Sequence, residues 1–211
     1  MVLRRVVLVC LLVCLLFAAP ASAQLTQLKG NWGIGVGVGN VLTTAEELES
    51  NVTIQPIIAR RPSKGWGLAF AFNWFSADVN GSVVGETERL GRLHTRPILL
   101  GVAYTFVQGK FAIAPAVVAG PSVNTLKIDD QWDGIFELEG GSFERKVGSV
   151  SFATRPGVSV TYALSSHWGL AAFGGYIFNR PNFEISTPSG VIESNWKGDG
   201  IVLSTGVVFT F

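Results

Sequence analysis

The residues of this sequence whose types could do chemistry are two histidines, a few serines beside them, and acidic clusters in its polar stretches. A serine hydrolase needs a serine hydroxyl within hydrogen-bond reach of a histidine, with an acid behind the ring. Ser165 and Ser166 adjoin His167 in "SSHW", but no carboxylate stands near them in sequence. His94 has Thr95 beside it, and only a favourable loop would bring it to Glu86 or Glu88. The His-x-Ser spacing of a deacylase is missing, because Arg96 occupies the serine position. Two separate histidines do not make a zinc site. "DDQWD" (129–133) has the acidity for Ca²⁺ but lacks the glycine and terminal glutamate of an EF-hand loop. The expectation is therefore no enzyme, no metal and no cofactor.

A nucleotide fares no better. "WGIGVGVGN" (32–40) places glycine at 33, 35, 37 and 39. A dinucleotide fingerprint would need its third glycine at Val38 or Asn40, and a phosphate loop would end in Gly-Lys-Ser/Thr. The residues between the glycines, Trp32, Ile34, Val36 and Val38, are all apolar. A period of two marks a β-strand with one large apolar face and one bare face.

Seven further segments repeat this pattern, giving expected strands at 30–40, 52–60, 66–77, 95–107, 111–126, 147–164, 168–181 and 201–211. In "WGLAFAFNW", Trp66, Leu68, Phe70, Phe72 and Trp74 oppose Gly67, Ala69, Ala71 and Asn73. Connections alternate in length: 61–65, 107–110 and 165–168 are tight, whereas 41–51, 78–94, 127–146 and 182–200 are long and polar. Short turns at one end and long loops at the other are the habit of a transmembrane barrel, and each strand is long enough to cross a bilayer when tilted.

The two faces decide which way the sheet curls. A soluble barrel would turn its large apolar side chains inward and charges outward. Here the opposite face is Gly, Ala, Ser and Thr, which makes a poor water-facing surface and a good lining for a narrow barrel. The large face then meets lipid, and closure pairs every backbone group away from water. Trp66, Phe106, Phe111, Tyr162, Trp168 and Phe211 fall at the turn ends, and Trp74, Phe152 and Phe178 near the loop ends, as two interfacial girdles would require. Pro56, Pro97, Pro115 and Pro156 interrupt the expected strands, yet the alternation continues across Pro115 and Pro156.

Arg-Pro occurs at 61–62, 96–97, 155–156 and 180–181. Alternation turns Arg155 into the lumen with Ser151, Ala153, Gly157 and Ser159. A cation there needs a partner or solvent. Strict alternation sends Arg96 to the lipid side, and a bulge at Pro97 would bring it inward beside Arg155. The pair is the candidate lumen constriction: a gate for small anions, or a plug that stiffens the barrel.

At the start of the chain, Arg4 and Arg5, the apolar run Val6 to Ala19, and Ala21-Ser22-Ala23 have the form of a secretory signal cleaved after Ala23. Both cysteines and the methionine belong to residues 1–23, so residues 24–211 can form no disulfide. Loss of Arg4 and Arg5 turns the formal charge from +1 to −1, a balance that predicts no nucleic-acid partner.

Residues 24–211 as a whole resemble the small OmpA/OmpX-like eight-stranded bacterial outer-membrane barrels: a signal segment, eight alternating strands and a last strand, "GVVFTF" (206–211), ending in phenylalanine. The resemblance implies export through the general secretory pathway and residence in the outer membrane against its lipid. It also implies insertion by the barrel-assembly machinery, with Phe209 and Phe211 as the assembly signal. The fold expected is all-β, an antiparallel up-and-down transmembrane barrel, and a monomer, because closure removes free edges. The first reading of function is structural or surface-interacting, through the four long loops, in envelope integrity or adhesion. The alternative is a narrow pore or conduit for small or hydrophobic solutes, and a lipid-modifying enzyme comes last.

Overall fold

The alternation of residues 32–40 becomes strand β1 (Trp32–Thr43) of the computed structural model, which describes residues 28–44, 51–60, 64–83, 86–130, 146–187, 190–195 and 198–211. Residues 1–23, the acidic Glu46, Glu47 and Glu49, and most of "DDQWD" lie outside the described residues. Val36 is 50% exposed and its neighbours Ile34 and Val38 are also exposed, while Gly33 and Gly37 are buried. The glycine face is the inner one.

The remaining strands are β2 (Asn51–Arg60), β3 (Gly65–Phe72), β4 (Trp74–Val83), β5 (Glu86–Gln108), β6 (Phe111–Ile128), β7 (Lys146–Ala163), β8 (Trp168–Asn179), β9 (Asn182–Thr187), β10 (Gly190–Asn195) and β11 (Gly200–Thr210). All pairings are antiparallel, and β11 returns to β1 from Gly33↔Thr210 to Thr43↔Gly200. That last ladder closes the sheet. β3 and β4 are halves of one barrel strand, both pairing β2 on one side and β5 on the other, so the barrel has eight strands. β9 and β10 form a separate hairpin.

Prolines explain the gaps in the ladders. The register Phe72↔Ile98 and Phe75↔Thr95 sets Asn73 opposite Pro97, which has no N–H to return. The strand is interrupted there, at Asn73, although the Asn73 N–H still donates to the Pro97 carbonyl at 3.3 Å. At the turn end, Gln108↔Phe111 leaves Gly109 and Lys110 as a two-residue hairpin loop, and Gly109 takes the positive φ of 62° that such loops demand.

Aromatic rings collect in two belts on the outer surface. Trp66 packs edge-on to Tyr104 with centroids 5.3 Å apart, Phe111 meets Tyr162 at 5.0 Å, and Trp168 meets Phe209 at 5.0 Å, all at the turn end. Trp74, Phe152 and Phe178 stand exposed at the other. Along β7, Phe152 and Tyr162 are ten residues apart. That is about 33 Å of strand, or about 25 Å across a bilayer at a tilt of roughly 40°.

Two expected loops are strand instead. Residues 78–94 continue β4 and β5 as a hairpin, with one register shift between Val79 and Asn80. Residues 182–200 contain the β9–β10 hairpin. Beyond the outer belt both faces of a strand meet water or loops, so the apolar alternation that betrays a strand in sequence fades while the backbone pairing persists.

Candidate functional site

Alternation along β7 delivers Arg155 to the barrel interior at mid-height, where it is 4% exposed. Its Nη1 donates to Asn73 Oδ1 at 2.6 Å, and its guanidinium carbon lies 4.5 Å from the centre of the Phe173 ring. Phe173, on β8, fits there because Gly157 and Gly175 leave the inner wall bare. A Cβ on Gly157 would come within 2.5 Å of the ring's Cζ, and one on Gly175 within 2.7 Å. The β7–β8 ladder skips Arg155 and Pro156 between Thr154↔Phe178 and Gly157↔Gly175, which leaves the backbone locally open around the arginine. Among the described residues no carboxylate pairs with it.

Gln55 completes this layer. The pairing Ile54↔Trp74 sets it opposite Asn73 across the β2–β4 junction. Its Oε1 accepts from Ser204 Oγ at 3.1 Å. Three buried donor atoms here, Arg155 Nε, Asn73 Nδ2 and Gln55 Nε2, have no hydrogen-bond partner among the described residues.

Toward the loop end buried side chains of the described residues pack across the lumen. Phe75, Ile177, Val41 and Val202 form one buried cluster against Phe173. Beside it runs a polar network in which Asn124 Nδ2 donates to Ser151 Oγ at 2.8 Å, Ser151 Oγ to Asn179 Oδ1 at 2.5 Å, and Asn179 Nδ2 to Asn124 Oδ1 at 3.1 Å. The Asn179 N–H donates to the buried carboxylate of Asp199 at 2.8 Å. Higher still, Phe183 caps a cluster of Ala77, Val79, Leu93, Leu126, Ile128 and Val147. Toward the turn end the wall is instead Gly, Ala and Ser. It borders a partly open cavity of about 50 Å³ beside Ala69, Ala71, Ala103, Ala114, Ala116 and Arg155, and another of about 40 Å³ beside Gly35, Gly37, Ala171, Ser204 and Gly206. Ser159 and Phe173 line both.

Arg96 does not join Arg155. The β5–β6 register runs unshifted through Arg96↔Val123, Pro97↔Ser122 and Leu100↔Ala119, so no bulge turns the side chain inward. Arg96 stays on the outer face, its guanidinium 5.3 Å from the centre of the Trp74 ring. Pro97 merely omits a ladder bond, a smaller disturbance than an inserted residue. A charged collar continues above it: Arg92 Nε donates to Asp78 Oδ1 at 2.7 Å, and Arg89 meets Asp129 at 3.0 Å. The hydrogen bond from Arg92 holds the Asp78 carboxyl below its usual range. Partial burial, then the charges of Lys127, Arg96 and Arg92, push the His94 imidazole below its own.

Among the described residues the histidines gather no triad. His94 faces Ser76 and Thr125 in register, and Glu88 is six residues along the same strand, about 20 Å away. His167 Nδ1 lies 2.9 Å from Ser166 Oγ, but among the described residues no carboxylate bonds to either. Its ring stacks on Phe209 with centroids 5.9 Å apart. Among the described residues no three metal-ligating side chains cluster. Phe209 lies between Trp168 and Phe211, and Phe211 exchanges backbone hydrogen bonds with Trp32 where the barrel closes. Arg155 was legible from strand alternation. Phe173 was detectable as a lone aromatic on the small-residue face of "GLAAFGGY".

No protein-family model and no curated protein matches the sequence. Solved structures do. The outer membrane protein OprG from Pseudomonas aeruginosa superposes with a TM-score of 0.67 at 15% identity, covering 89% of this chain and 99% of that one. A major outer membrane protein from Thermus thermophilus gives 0.57 at 14% identity over 85% and 98% of the two chains. Neisserial surface protein A gives 0.52 at 15% identity over 86% and 98%. These identities speak for fold. The closed antiparallel sheet, the bare inner face and these likenesses together make the chain, in fold, a small eight-stranded β-barrel of the outer-membrane type.

Proposed function

We propose that this chain resides in a bacterial outer membrane as a non-conducting barrel, structural or surface-interacting in role and without catalytic activity. The observation that carries the reading is the packing of the upper lumen among the described residues: above the Arg155 layer lie the Phe75–Ile177 cluster with the asparagine network beside it, and then the Phe183 cluster. Such a stack supports the bilayer as a rivet supports a sheet and leaves the outer rim for contact. The exposed apolar band between two aromatic belts supports the membrane location, since a contiguous apolar surface of that size is not stable in water.

Planar-bilayer recording of refolded residues 24–211, with Arg155→Ala alongside, tests it. Both chains are expected to insert without discrete conductance steps, because removing one guanidinium leaves the packed levels above it in place. Steps whose size or ion selectivity changes in the variant would overturn the plug. They would favour a narrow conduit for small solutes with Arg155 at its constriction, a reading supported by the small-residue cavity below.

Export with loss of residues 1–23 and insertion by an assembly machinery that reads the last strand belong to the same proposal. The paired variant Phe209→Ala, Phe211→Ala should slow assembly in cells severalfold while the purified chain still refolds in detergent. Equal cellular assembly rates would remove these two residues from the signal.

A further inference from the structure

The layer around Arg155 is short of one thing, a negatively charged acceptor. The Asn73 Oδ1 is taken by Arg155 and the Gln55 Oε1 by Ser204. Arg155 Nε, Asn73 Nδ2 and Gln55 Nε2 remain buried donors without partners, and among the described residues no carboxylate reaches the guanidinium. A buried cation retained without a counter-charge is expensive, and the forked guanidinium matches a carboxylate in geometry. Arg155 also borders the cavity whose other walls are alanines, Val118, Phe70, Ser159 and the Phe173 ring.

We propose that this cavity binds a short-chain monocarboxylate, its head on Arg155 and its tail along the small-residue wall toward Ser159. One carboxylate neutralises one guanidinium and supplies the missing acceptor. The tail explains why the rest of the wall offers methyl groups and not further donors. The cavity of about 50 Å³ at Arg155 holds several times the roughly 10–15 Å³ that one water needs, which suits a chain of a few carbons, and Ser159 and Phe173 line both it and its neighbour of about 40 Å³. Inorganic phosphate fits poorly, because its remaining oxygens would face alanine. The inference does not rest on the bilayer-plug reading: binding is measured on the folded chain alone, and a conductance result leaves it untouched.

Sodium butyrate is the probe, titrated into refolded residues 24–211 in detergent micelles, with sodium chloride, sodium phosphate and n-butanol as comparisons. The resonances of Arg155 Nε–H and of the Asn73 amide report the site. Butyrate should shift both saturably at constant ionic strength, and the three comparisons should not. Arg155→Met should weaken butyrate binding at least tenfold. Ser159→Leu, which fills the cavity and keeps the charge, should do the same, so the proposal does not depend on one variant folding. Butyrate shifts that do not saturate, or equal shifts from chloride or phosphate, would overturn it. So would wild-type affinity in a folded Arg155→Met or Ser159→Leu chain.

Discussion

Gly206→Val should prevent the barrel from closing. Gly206 stands opposite Gly37 across the β1–β11 seam and opposite Ala171 on β8. A Cβ there would press on the Val36 carbonyl oxygen and lie 2.6 Å from the Gly37 Cα. At Gly39 the same addition would meet the Leu203 carbonyl and lie 2.5 Å from the Ser204 Cα. The obstructing atoms are backbone, so no rotamer change relieves them. The strand must move, and the seam is where the sheet has to meet itself. Overpacking of this kind costs about 3 kcal/mol or more. Refolding into detergent against urea, read by the heat-sensitive gel mobility of folded barrels, should show little or no folded Gly206→Val. The outward neighbour Thr205→Val should stay within about 0.5 kcal/mol of wild type, as exposed substitutions do. Equal midpoints for the two variants would mean that the seam has room to spare.

Asp199→Ala should be the most damaging change at the loop end. Asp199 is 5% exposed and its carboxylate accepts the Asn179 N–H at 2.8 Å, with the Arg180 guanidinium at 3.4 Å. Its own carbonyl accepts from the Thr44 N–H at 3.0 Å and the Thr44 hydroxyl at 3.1 Å. One residue thus fastens the outer ends of β1, β8 and β11. Alanine would remove a charged acceptor and leave the buried Asn179 N–H unpaired, a loss of about 3 kcal/mol. Asp199→Asn keeps an oxygen in place and should cost less than half as much. Urea midpoints of the two variants decide it: equal destabilisation would assign the effect to something other than the acceptor.

These two residues also mark where sequence reading succeeds and where it stops. The glycines of "GIGVGVG" announce an inner face because alternation is a local property, and the same logic placed Arg155 inward and, followed strictly, Arg96 outward. The invoked bulge at Pro97 was unnecessary, since a proline can drop a ladder bond without shifting the register. Asp199 gave no signal in "WKGDGI". Its partners are brought to it only by strand pairing, Asn179 from 20 residues away by β8 against β11 and Thr44 from 155 residues away by closure of β11 on β1. Asn73 and Gln55 face the lumen by alternation, but their meeting with Arg155 depends on registers between strands that no single strand encodes. The hairpin at 78–94 was missed for a different reason: outside the bilayer neither face of a strand is obliged to be greasy.

That hairpin has a consequence for how the molecule meets others of its kind. A closed barrel offers no docking rail for foreign strands, but beyond Phe75 the strand β4 has β5 on one side and, among the described residues, no strand on the other. Among the described residues Ser76 to Val79 is therefore a short stretch of ladder open on one side, the kind of template on which chains stack into fibres. At the end of that stretch the register shift between Val79 and Asn80 sets one extra residue, Leu90, into β5. A bulge in one strand bends and twists the pair it belongs to, so the open edge of β4 turns away from the straight course an incoming strand would need, and the extra residue on β5 helps to keep the arm solitary.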